Sequence, residues 1–318
     1  MHTQQTVAVI DVGSNSIKLL VAKPSLGKGH IQSIFAETIE TRISTGISQA
    51  LPSLNEQAMQ AGSATISKLV RLAQSFHPQV IQIVATSAVR DASNASQFID
   101  RVNDLTKLEM RILSGTEEAV TIGRGLRCDP QIADLERFIQ MDIGGGSLEL
   151  IRFHHGQIQQ ALSLPLGAVR LSEHFIPDRD AAIPAASAAR IQDHVIATLQ
   201  AIAFSFEPIE DPLIATGGAF TVTRAMLAAQ VNQTIHSYTP VLSKQAISQL
   251  KSELMPLTLR KRIAVPQLPA TRADILPAAL ITIEALLDYA QRDSVTHSFH
   301  NLAYGIAAEL LGTVPESS

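Results

Sequence analysis

The length of the chain, 318 residues, favours two domains of ordinary size. Because 46% of the residues are hydrophobic and only 17% are charged, the composition excludes an extensively disordered protein. Its single cysteine, Cys128, excludes a disulfide framework and a metal site built from several thiolates. A net charge of -4, three tyrosines and no tryptophan argue against a nucleic-acid-binding protein.

The N-terminal segment, MHTQQTVAVIDVGSNS, has no basic region before its apolar residues, and an aspartate soon interrupts them. A secretory signal peptide has the opposite arrangement. The sequence also has no apolar run of roughly 20 uncharged residues, the length that spans a bilayer. We therefore expect a cytoplasmic protein that does not associate with a membrane.

The first half of the chain predicts three strands followed by alternating helices and strands. The predicted strands are Val7–Ile10, Ile17–Lys23, Ile31–Thr38, Val80–Ala85 and Leu108–Leu113, with a hairpin loop over Pro24–His30. The predicted helices run from the capping-box sequence Ser53–Glu56 to about Phe76, over about Asn94–Leu105, and from Gly115 to about Leu126.

The second half starts with the same pattern and then becomes mostly helical. The predicted strands are Phe138–Met141, Leu148–Phe153, Ile158–Leu164 and Leu213–Ala215, with a hairpin tip at His154–Gly156. The predicted helices include about Gly167–Phe175, Ile183–Phe206, Arg272–Tyr289 and Leu302–Leu311.

The two halves share the motif Asp-[Val/Ile]-Gly-x-x-Ser between two strands, at Asp11 and again at Asp142, 131 residues later. Each half therefore presents a glycine turn beside an aspartate. We interpret this repeat as a cleft with one phosphate-binding loop on each wall. The alternative is a repeat with a structural role only.

Glycine turns suit phosphate because no side chain keeps the ligand away from their backbone amides. Where a helix follows the turn, the positive end of its dipole also favours an anion. Three such turns follow predicted strands. Their candidate phosphate-binding residues are Gly13, Ser14, Asn15, Gly144, Gly145, Gly146, Ser147, Gly217 and Gly218.

Asp11 and Asp142 end predicted buried strands, where an uncompensated carboxylate is costly. Magnesium binds a few carboxylates together with waters and substrate oxygens. The two residues are therefore candidate metal ligands, and the alternative is that they only cap the turns that follow.

The segment Thr86–Asn94 joins a predicted strand to a helix and carries Ser87, Arg90 and Asn94, which are candidate phosphate-binding residues. A plain helix start explains the polar residues but not the arginine.

Three glutamates are candidates for activating water: Glu117 and Glu118, at a predicted helix start, and Glu149. Composition and spacing alone assign none of them a role, because acidic residues favour the first turns of helices.

The chain resembles the exopolyphosphatase and guanosine pentaphosphate phosphatase family, in a form without that family's additional C-terminal helical domain. Motifs along nearly the whole chain carry the resemblance: VAVIDVGSNSIKLLV, ATSAVRDASN, RILSGTEEA, MDIGGGSLELI, LPLGAVRLSEHF, ATGGAF and RADILPAALITIEALL.

The resemblance implies an α/β fold of the actin-like ATPase architecture, with two ribonuclease-H-like domains flanking a cleft. It implies a first domain over residues 1–127, a second over 128–299, and a C-terminal helix, about 300–318, that packs back on the first. It further implies hydrolysis of a terminal phosphate with Mg²⁺ or Mn²⁺, and it favours a homodimer.

The resemblance also assigns roles by motif position. Glu118 corresponds to the carboxylate that activates water, and Arg90 to a phosphate-binding arginine. Asp142 and Glu149 correspond to carboxylates of the metal or water network, and the glycines to phosphate loops.

The sequence departs from the family pattern in three places. Leu148 replaces a threonine, Arg42-Ile43-Ser44 replaces R-L-G, and Asn301-Leu302-Ala303-Tyr304-Gly305 replaces G-L-R-E-G, which removes an arginine and a glutamate. The chain also ends where longer members add a domain, so we expect action on short polyphosphate chains. The run Arg260-Lys261-Arg262 is a candidate polyanion patch or a solvated basic turn.

The sequence does not choose between inorganic polyphosphate and guanosine pentaphosphate, because it shows no base-reading motif. Two alternatives of other classes are a sensor that binds a phosphorylated nucleotide without hydrolysing it and a small-molecule kinase on the same fold. The joint presence of Glu118, Arg90, Asp142 and Glu149 argues against the sensor, and the SGTEE and TSAVR motifs argue against the kinase.

Overall fold

A computed structural model describes residues 5–26 and 31–313, which form two sheets flanked by helices. The strands are Val7–Val12 (β1), Ile17–Pro24 (β2), Ile31–Ile39 (β3), Val80–Ala85 (β4), Met110–Ile112 (β5), Phe138–Ile143 (β6), Leu148–His154 (β7), Gln157–Leu164 (β8), Leu213–Thr216 (β9), Val241–Ser243 (β10) and Ser294–His297 (β11). The helices are Glu56–Gln74 (α1), Ser87–Arg90 (α2), Ala95–Thr106 (α3), Gly115–Leu126 (α4), Ala168–Phe175 (α5), Ala185–Gln200 (α6), Gly218–Gln230 (α7), Lys244–Leu254 (α8), Leu259–Ile263 (α9), Leu276–Tyr289 (α10) and Leu302–Leu311 (α11).

The first sheet has the strand order β3-β2-β1-β4-β5. β1 is antiparallel to β2 and parallel to β4. Every residue of β1 is buried because α1 covers one face of the strand and α11 the other. Alternate residues of β1 accordingly enter two different hydrophobic clusters, with Ala8 and Ile10 in one and Val7 and Val9 in the other.

The second sheet has the order β10-β11-β9-β6-β7-β8. Taken from the opposite edge, β8-β7-β6-β9-β11 corresponds strand by strand to β3-β2-β1-β4-β5, and β10 is an additional edge strand. As in the first sheet, the central strand β6 is antiparallel to β7 and parallel to β9. The sequence repeat therefore corresponds to a repeated arrangement of strands. Asp11 and Asp142 occupy the same place in the two sheets, the next-to-last residue of the central strand.

α11 lies against α4 and against β1 and β2 of the first sheet. The two helices approach closely through glycines. A Cβ at Gly125 of α4 would lie 1.9 Å from the carbonyl oxygen of Asn301, and one at Gly305 of α11 would lie 2.0 Å from that of Thr121. This contact fixes Asn301 and the start of α11 beside the central strands.

Several predicted elements need correction. Helix α1 does not begin with a capping box at Ser53, because Asn55 is its N-cap and accepts a hydrogen bond from the Ala58 amide. Strands β10 and β11 were missed in a region predicted as mostly helix, since three or four residues are too few to show a strand period. The predicted helix Ile183–Phe206 is shorter, Ala185–Gln200, and starts after Pro184.

Parts of two predictions, residues 27–30 of the first hairpin loop and 314–318 of the C-terminal helix, lie outside the described residues. The domain boundaries at 127/128 and 299/300 stay predictions. Within the described part of the chain, no helix combines the length and the apolar character needed to cross a bilayer.

Candidate active site

The two repeated aspartates face different partners across their hairpins. In the first sheet Asp11 pairs in register with Lys18, and the Lys18 ammonium lies 3.5 Å from an Asp11 carboxylate oxygen. In the second sheet the equivalent register pairs Asp142 with Glu149. The repeat thus places a cation on one wall of the cleft and a second carboxylate on the other.

The two glycine turns close in the same way. The Gly13 amide donates to the carbonyl of Ser16, and the Gly144 amide donates to the carbonyl of Ser147, at 3.1 and 3.0 Å. The turns lie against each other, since a Cβ on Gly145 would approach the Ser14 Cβ to 2.7 Å. Only a residue without a side chain allows this contact, which brings the two loops to one point.

The third glycine turn lies beside Asp142. Gly217 has φ +97°, a conformation that glycine adopts readily, and a Cβ there would approach an Asp142 carboxylate oxygen to 2.4 Å. Thr216, the last residue of β9, donates to the other oxygen of Asp142 at 2.7 Å. Asp142 is thus held from one side while α7 begins immediately after the turn.

The two neighbouring glutamates of α4 have different environments. Ser114 caps the helix, accepting from the Glu117 amide while the Glu117 carboxylate accepts from the Ser114 amide. The Glu117 side chain is half exposed, whereas Glu118 is buried and lines a cavity. The capping box therefore uses Glu117 and directs the next residue inward.

Arg90 is the cation beside Glu118. Its guanidinium donates to the Glu118 carboxylate at 2.6 Å and to the carbonyl of Leu113 at 3.0 Å. Burial raises the pKa of Glu118 to about 7, against the lowering effect of Arg90. A carboxylate with a pKa near neutrality and a fixed cationic partner is suited to accept a proton from water.

The site holds more carboxylates than its cations balance. Burial raises the pKa of Asp142, and burial together with the charges of Glu118 and Asp142 raises that of Glu149. In residues 5–26 and 31–313, no three His, Cys, Asp or Glu side chains form a complete metal cluster. The donors nonetheless fit magnesium or manganese, because Mg²⁺ needs only one or two carboxylates and takes its remaining ligands from water and phosphate. Asp11 and Asp142 would hold the ion.

The structure brings most of the predicted site residues to one cavity of about 70 Å³. Those that line it are Asp11, Gly13, Ser14, Asn15, Ser87, Glu118, Asp142, Gly144, Gly145, Ser147, Glu149, Gly217 and Gly218. Arg90 does not line the cavity itself, but it donates a hydrogen bond to Glu118, which does. The Asn15 side chain is engaged elsewhere, accepting from Arg42 and donating to Glu40.

Two predicted phosphate-binding residues, Asn94 and Gly146, are not among the residues that line the cavity. The side-chain amide of Asn94 accepts from the Leu54 backbone amide and donates to the Leu54 carbonyl, so the structure gives it a structural role away from the cavity. Gly146 allows a close contact between loops, because a Cβ there would lie 2.3 Å from the Ser87 hydroxyl.

Sequence reasoning missed four residues near this cavity: Lys18, Thr216, Arg272 and Asn301. Lys18, Arg272 and Asn301 line the cavity, and Thr216 holds Asp142. The repeat contained a signal for Lys18, since it follows Asp11 by the same interval at which Glu149 follows Asp142. Arg272 and Asn301 lie in segments that were compared with the family, but no role was assigned to them there; the fold brings both from the C-terminal third of the chain.

Residues 20–313 match the Ppx/GppA phosphatase family. Exopolyphosphatase 2 of Mycobacterium tuberculosis is 27% identical over 322 residues, which cover 96% of this chain and 98% of that protein. The guanosine-5'-triphosphate,3'-diphosphate pyrophosphatase of Vibrio campbellii is 26% identical over 312 residues, covering 96% of this chain but 59% of that protein.

Solved structures agree with this assignment. An exopolyphosphatase from Cytophaga hutchinsonii superposes with a TM-score of 0.85 at 25% identity, covering 98% of this chain and 99% of that one. The Aquifex aeolicus member of the Ppx/GppA family superposes with a TM-score of 0.77 at 22% identity, over 98% and 99% of the two chains, which supports the fold. The predicted actin-like ATPase architecture is confirmed. The chain therefore belongs to the Ppx/GppA phosphatase family, and the prediction that it is a hydrolase is confirmed.

Proposed function

We propose that the chain is an exopolyphosphatase that hydrolyses the terminal phosphoanhydride of short inorganic polyphosphate with a divalent metal ion. One observation carries the proposal. The buried, arginine-paired Glu118 lies in the same small cavity as two facing glycine turns. That cavity has the three parts that water attack on a phosphate requires: a base, anion-binding amides and carboxylates for a cation.

The reaction follows from the positions of these groups. The terminal phosphate lies between the turns at Gly13 and Gly144, and a water beside it loses a proton to the Glu118 carboxylate as its oxygen bonds to phosphorus. The bridging P–O bond breaks, and the electron pair leaves with the shortened chain. When bound, Mg²⁺ or Mn²⁺ supplies positive charge that offsets both the phosphates and the carboxylates. Arg90 fixes the orientation of Glu118.

The described surface beyond the cavity favours a short substrate. Arg262 is fully buried and donates to the carbonyls of Arg179, Ala181 and Ala273, so the predicted basic patch is not a site for a long polyanion at this residue. Arg272, which lines the cavity, is paired with Glu40 at 3.0 Å. A long polyanion gains affinity from many unpaired cations along its path.

We expect cleavage of long-chain polyphosphate to be distributive, because the described cleft residues hold only the terminal phosphates. Catalytic efficiency should change little once the substrate exceeds a handful of phosphates. A time course resolved by gel electrophoresis should show intermediate lengths accumulating. Disappearance of full-length substrate without intermediates, together with poor activity on short chains, would show a processive enzyme.

We also expect kcat/KM for phosphate release to rise with pH through a midpoint near 7, because burial raises the pKa of Glu118 to about 7 and only its ionised form accepts a proton. The protonated form, which predominates below the midpoint, is inactive. Arg90→Met should move the midpoint to higher pH, since Arg90 lowers the pKa of Glu118. A rate that is constant between about pH 5 and 9 would exclude Glu118 as the base.

A second candidate is hydrolysis of guanosine pentaphosphate, and one feature favours it. A groove of about 650 Å³ adjoins the cavity and shares Lys18, Gly217 and Arg272 with it. Its walls include the rings of Phe299 and Tyr304, and such surfaces suit an organic ring better than a chain of phosphates. Phosphate release measured on tripolyphosphate, longer polyphosphates, guanosine pentaphosphate and ATP, with each metal, separates the two. Faster turnover of guanosine pentaphosphate than of tripolyphosphate would select the second candidate.

The homodimer belongs to the same proposal and is supported by the family resemblance, whereas the cytoplasmic location stays an expectation from the sequence. The mass of the protein in solution tests the first, and cell fractionation tests the second.

A further inference from the structure

Arg170, on the first turn of α5, makes contacts from the second half of the chain to the first. Its guanidinium donates to the carbonyl of Gly146 at 3.0 Å, to the carbonyl of Ile47 at 2.9 Å and to the Asp91 carboxylate at 2.6 Å. Gly146 belongs to the second glycine turn, and Asp91 directly follows Arg90. One side chain thus connects the two walls of the cleft, and the proposed reaction gives it no role.

Asp91 lies between two arginines. One of its oxygens accepts from Arg170 at 2.6 Å, and the other lies 3.6 Å from the Arg90 Nε. Arg90 directs its Nη1 at Glu118 at 2.6 Å. The longer distance shows that Arg90 is bound more closely to Glu118 than to Asp91, although Asp91 is its sequence neighbour and also carries a carboxylate.

The backbone keeps Arg170 in this place. The carbonyls of Gly144 and Gly145 accept from the amides of Ala168 and Val169, so the second glycine turn caps α5. Arg170 follows on the same turn, and its fork-shaped guanidinium bonds three acceptors at once. A lysine ammonium is a point charge and does not reproduce this geometry.

We propose that Arg170 is a positioning residue that holds the Asp91 carboxylate and so leaves Arg90 to orient Glu118. Without Arg170, Asp91 has Arg90 as its neighbouring cation, and a bidentate Arg90–Asp91 pair competes with the Arg90–Glu118 pair. The base then loses its fixed partner. This inference rests on the proposed function, in which Glu118 accepts the proton of the attacking water.

The test measures kcat and KM for phosphate release from tripolyphosphate with magnesium in the full chain. We expect Arg170→Met to lower kcat about 10- to 100-fold, the scale of a catalytic group displaced by about 1 Å. Arg170→Lys should recover part of the loss. Arg152→Met is the matched control, because Arg152 also donates to a backbone carbonyl, that of Ser205, and lies on β7 away from the cavity.

The deciding variant is Arg170→Met combined with Asp91→Asn. If Arg170 acts through the Asp91 charge, removing that charge should restore much of the kcat lost in Arg170→Met, and Asp91→Asn alone should be milder than Arg170→Met. If Arg170 acted only by linking Gly146 and Ile47, Asp91→Asn would not restore the kcat lost in Arg170→Met.

A double variant as slow as Arg170→Met would overturn the inference, as would wild-type kcat in Arg170→Met. If Arg170→Met does not fold, Arg170→Lys with and without Asp91→Asn gives the same comparison. Failure of the wild-type protein to release phosphate would instead contradict the proposed function, so the two failures are distinguishable.

Discussion

Replacing Glu118 with Gln should lower turnover about 10²- to 10⁴-fold, the contribution of a well-placed general base. The amide has nearly the shape of the carboxylate but does not accept the proton of the attacking water. It also loses its ion pair with Arg90. Because the substitution keeps the size of a buried side chain, we expect the folded structure to persist, and circular dichroism checks this.

Glu117→Gln is the matched control for this prediction. Glu117 is adjacent in sequence, lies on the same helix turn and carries the same functional group, but it caps α4 and is half exposed. Its substitution should cost little activity. Equal losses of turnover in Glu118→Gln and Glu117→Gln would show that Glu118 is not the general base.

Arg90→Ala should lower the rate about 10²- to 10³-fold, because it leaves the buried Glu118, the proposed general base, without its cationic partner. Arg90→Lys should recover only part of the activity, because an ammonium does not bond both Glu118 and the Leu113 carbonyl in the same geometry.

Arg101→Ala is the control for Arg90. Arg101 also pairs with a glutamate, Glu56, but both side chains lie on the surface, where such pairs contribute little. We expect wild-type turnover in this variant. Wild-type turnover in Arg90→Ala would refute the role of Arg90. In the double variant with Glu118→Gln, the two losses should not add, because the residues act as one unit.

The family resemblance predicted the architecture, whereas the short apolar runs that end at glycine turns predicted the central strands. The repeat at Asp11 and Asp142 predicted two similar walls, and the two sheets have the same strand order. β10 and β11 could not be predicted, because strands of three and four residues carry too little pattern. β11 is held by pairing with β9, and β10 by pairing with β11.

Parts of the site depended on information that spacing does not contain. Spacing alone did not separate Glu117 from Glu118, and only the family resemblance chose Glu118. In the structure the capping hydrogen bonds of Ser114 hold Glu117, while Glu118 is buried beside Arg90. Asn94 has the composition of a phosphate ligand, but the backbone of Leu54, forty residues earlier, takes both of its polar atoms. The sequence predicted a surface charge at Arg262, but the side chain is buried and donates to the carbonyls of Arg179, Ala181 and Ala273.

The central claim is that Glu118 activates water for attack on a terminal phosphate. The most direct test is tripolyphosphate hydrolysis in isotopically labelled water, with magnesium and no phosphate acceptor, for the wild-type protein and Glu118→Gln. We expect the wild-type protein to release orthophosphate and pyrophosphate, with the label in the orthophosphate, and the variant to be slower by about two orders of magnitude or more. Label in the pyrophosphate, no phosphate release by the wild-type protein, or equal rates in the two proteins would contradict it.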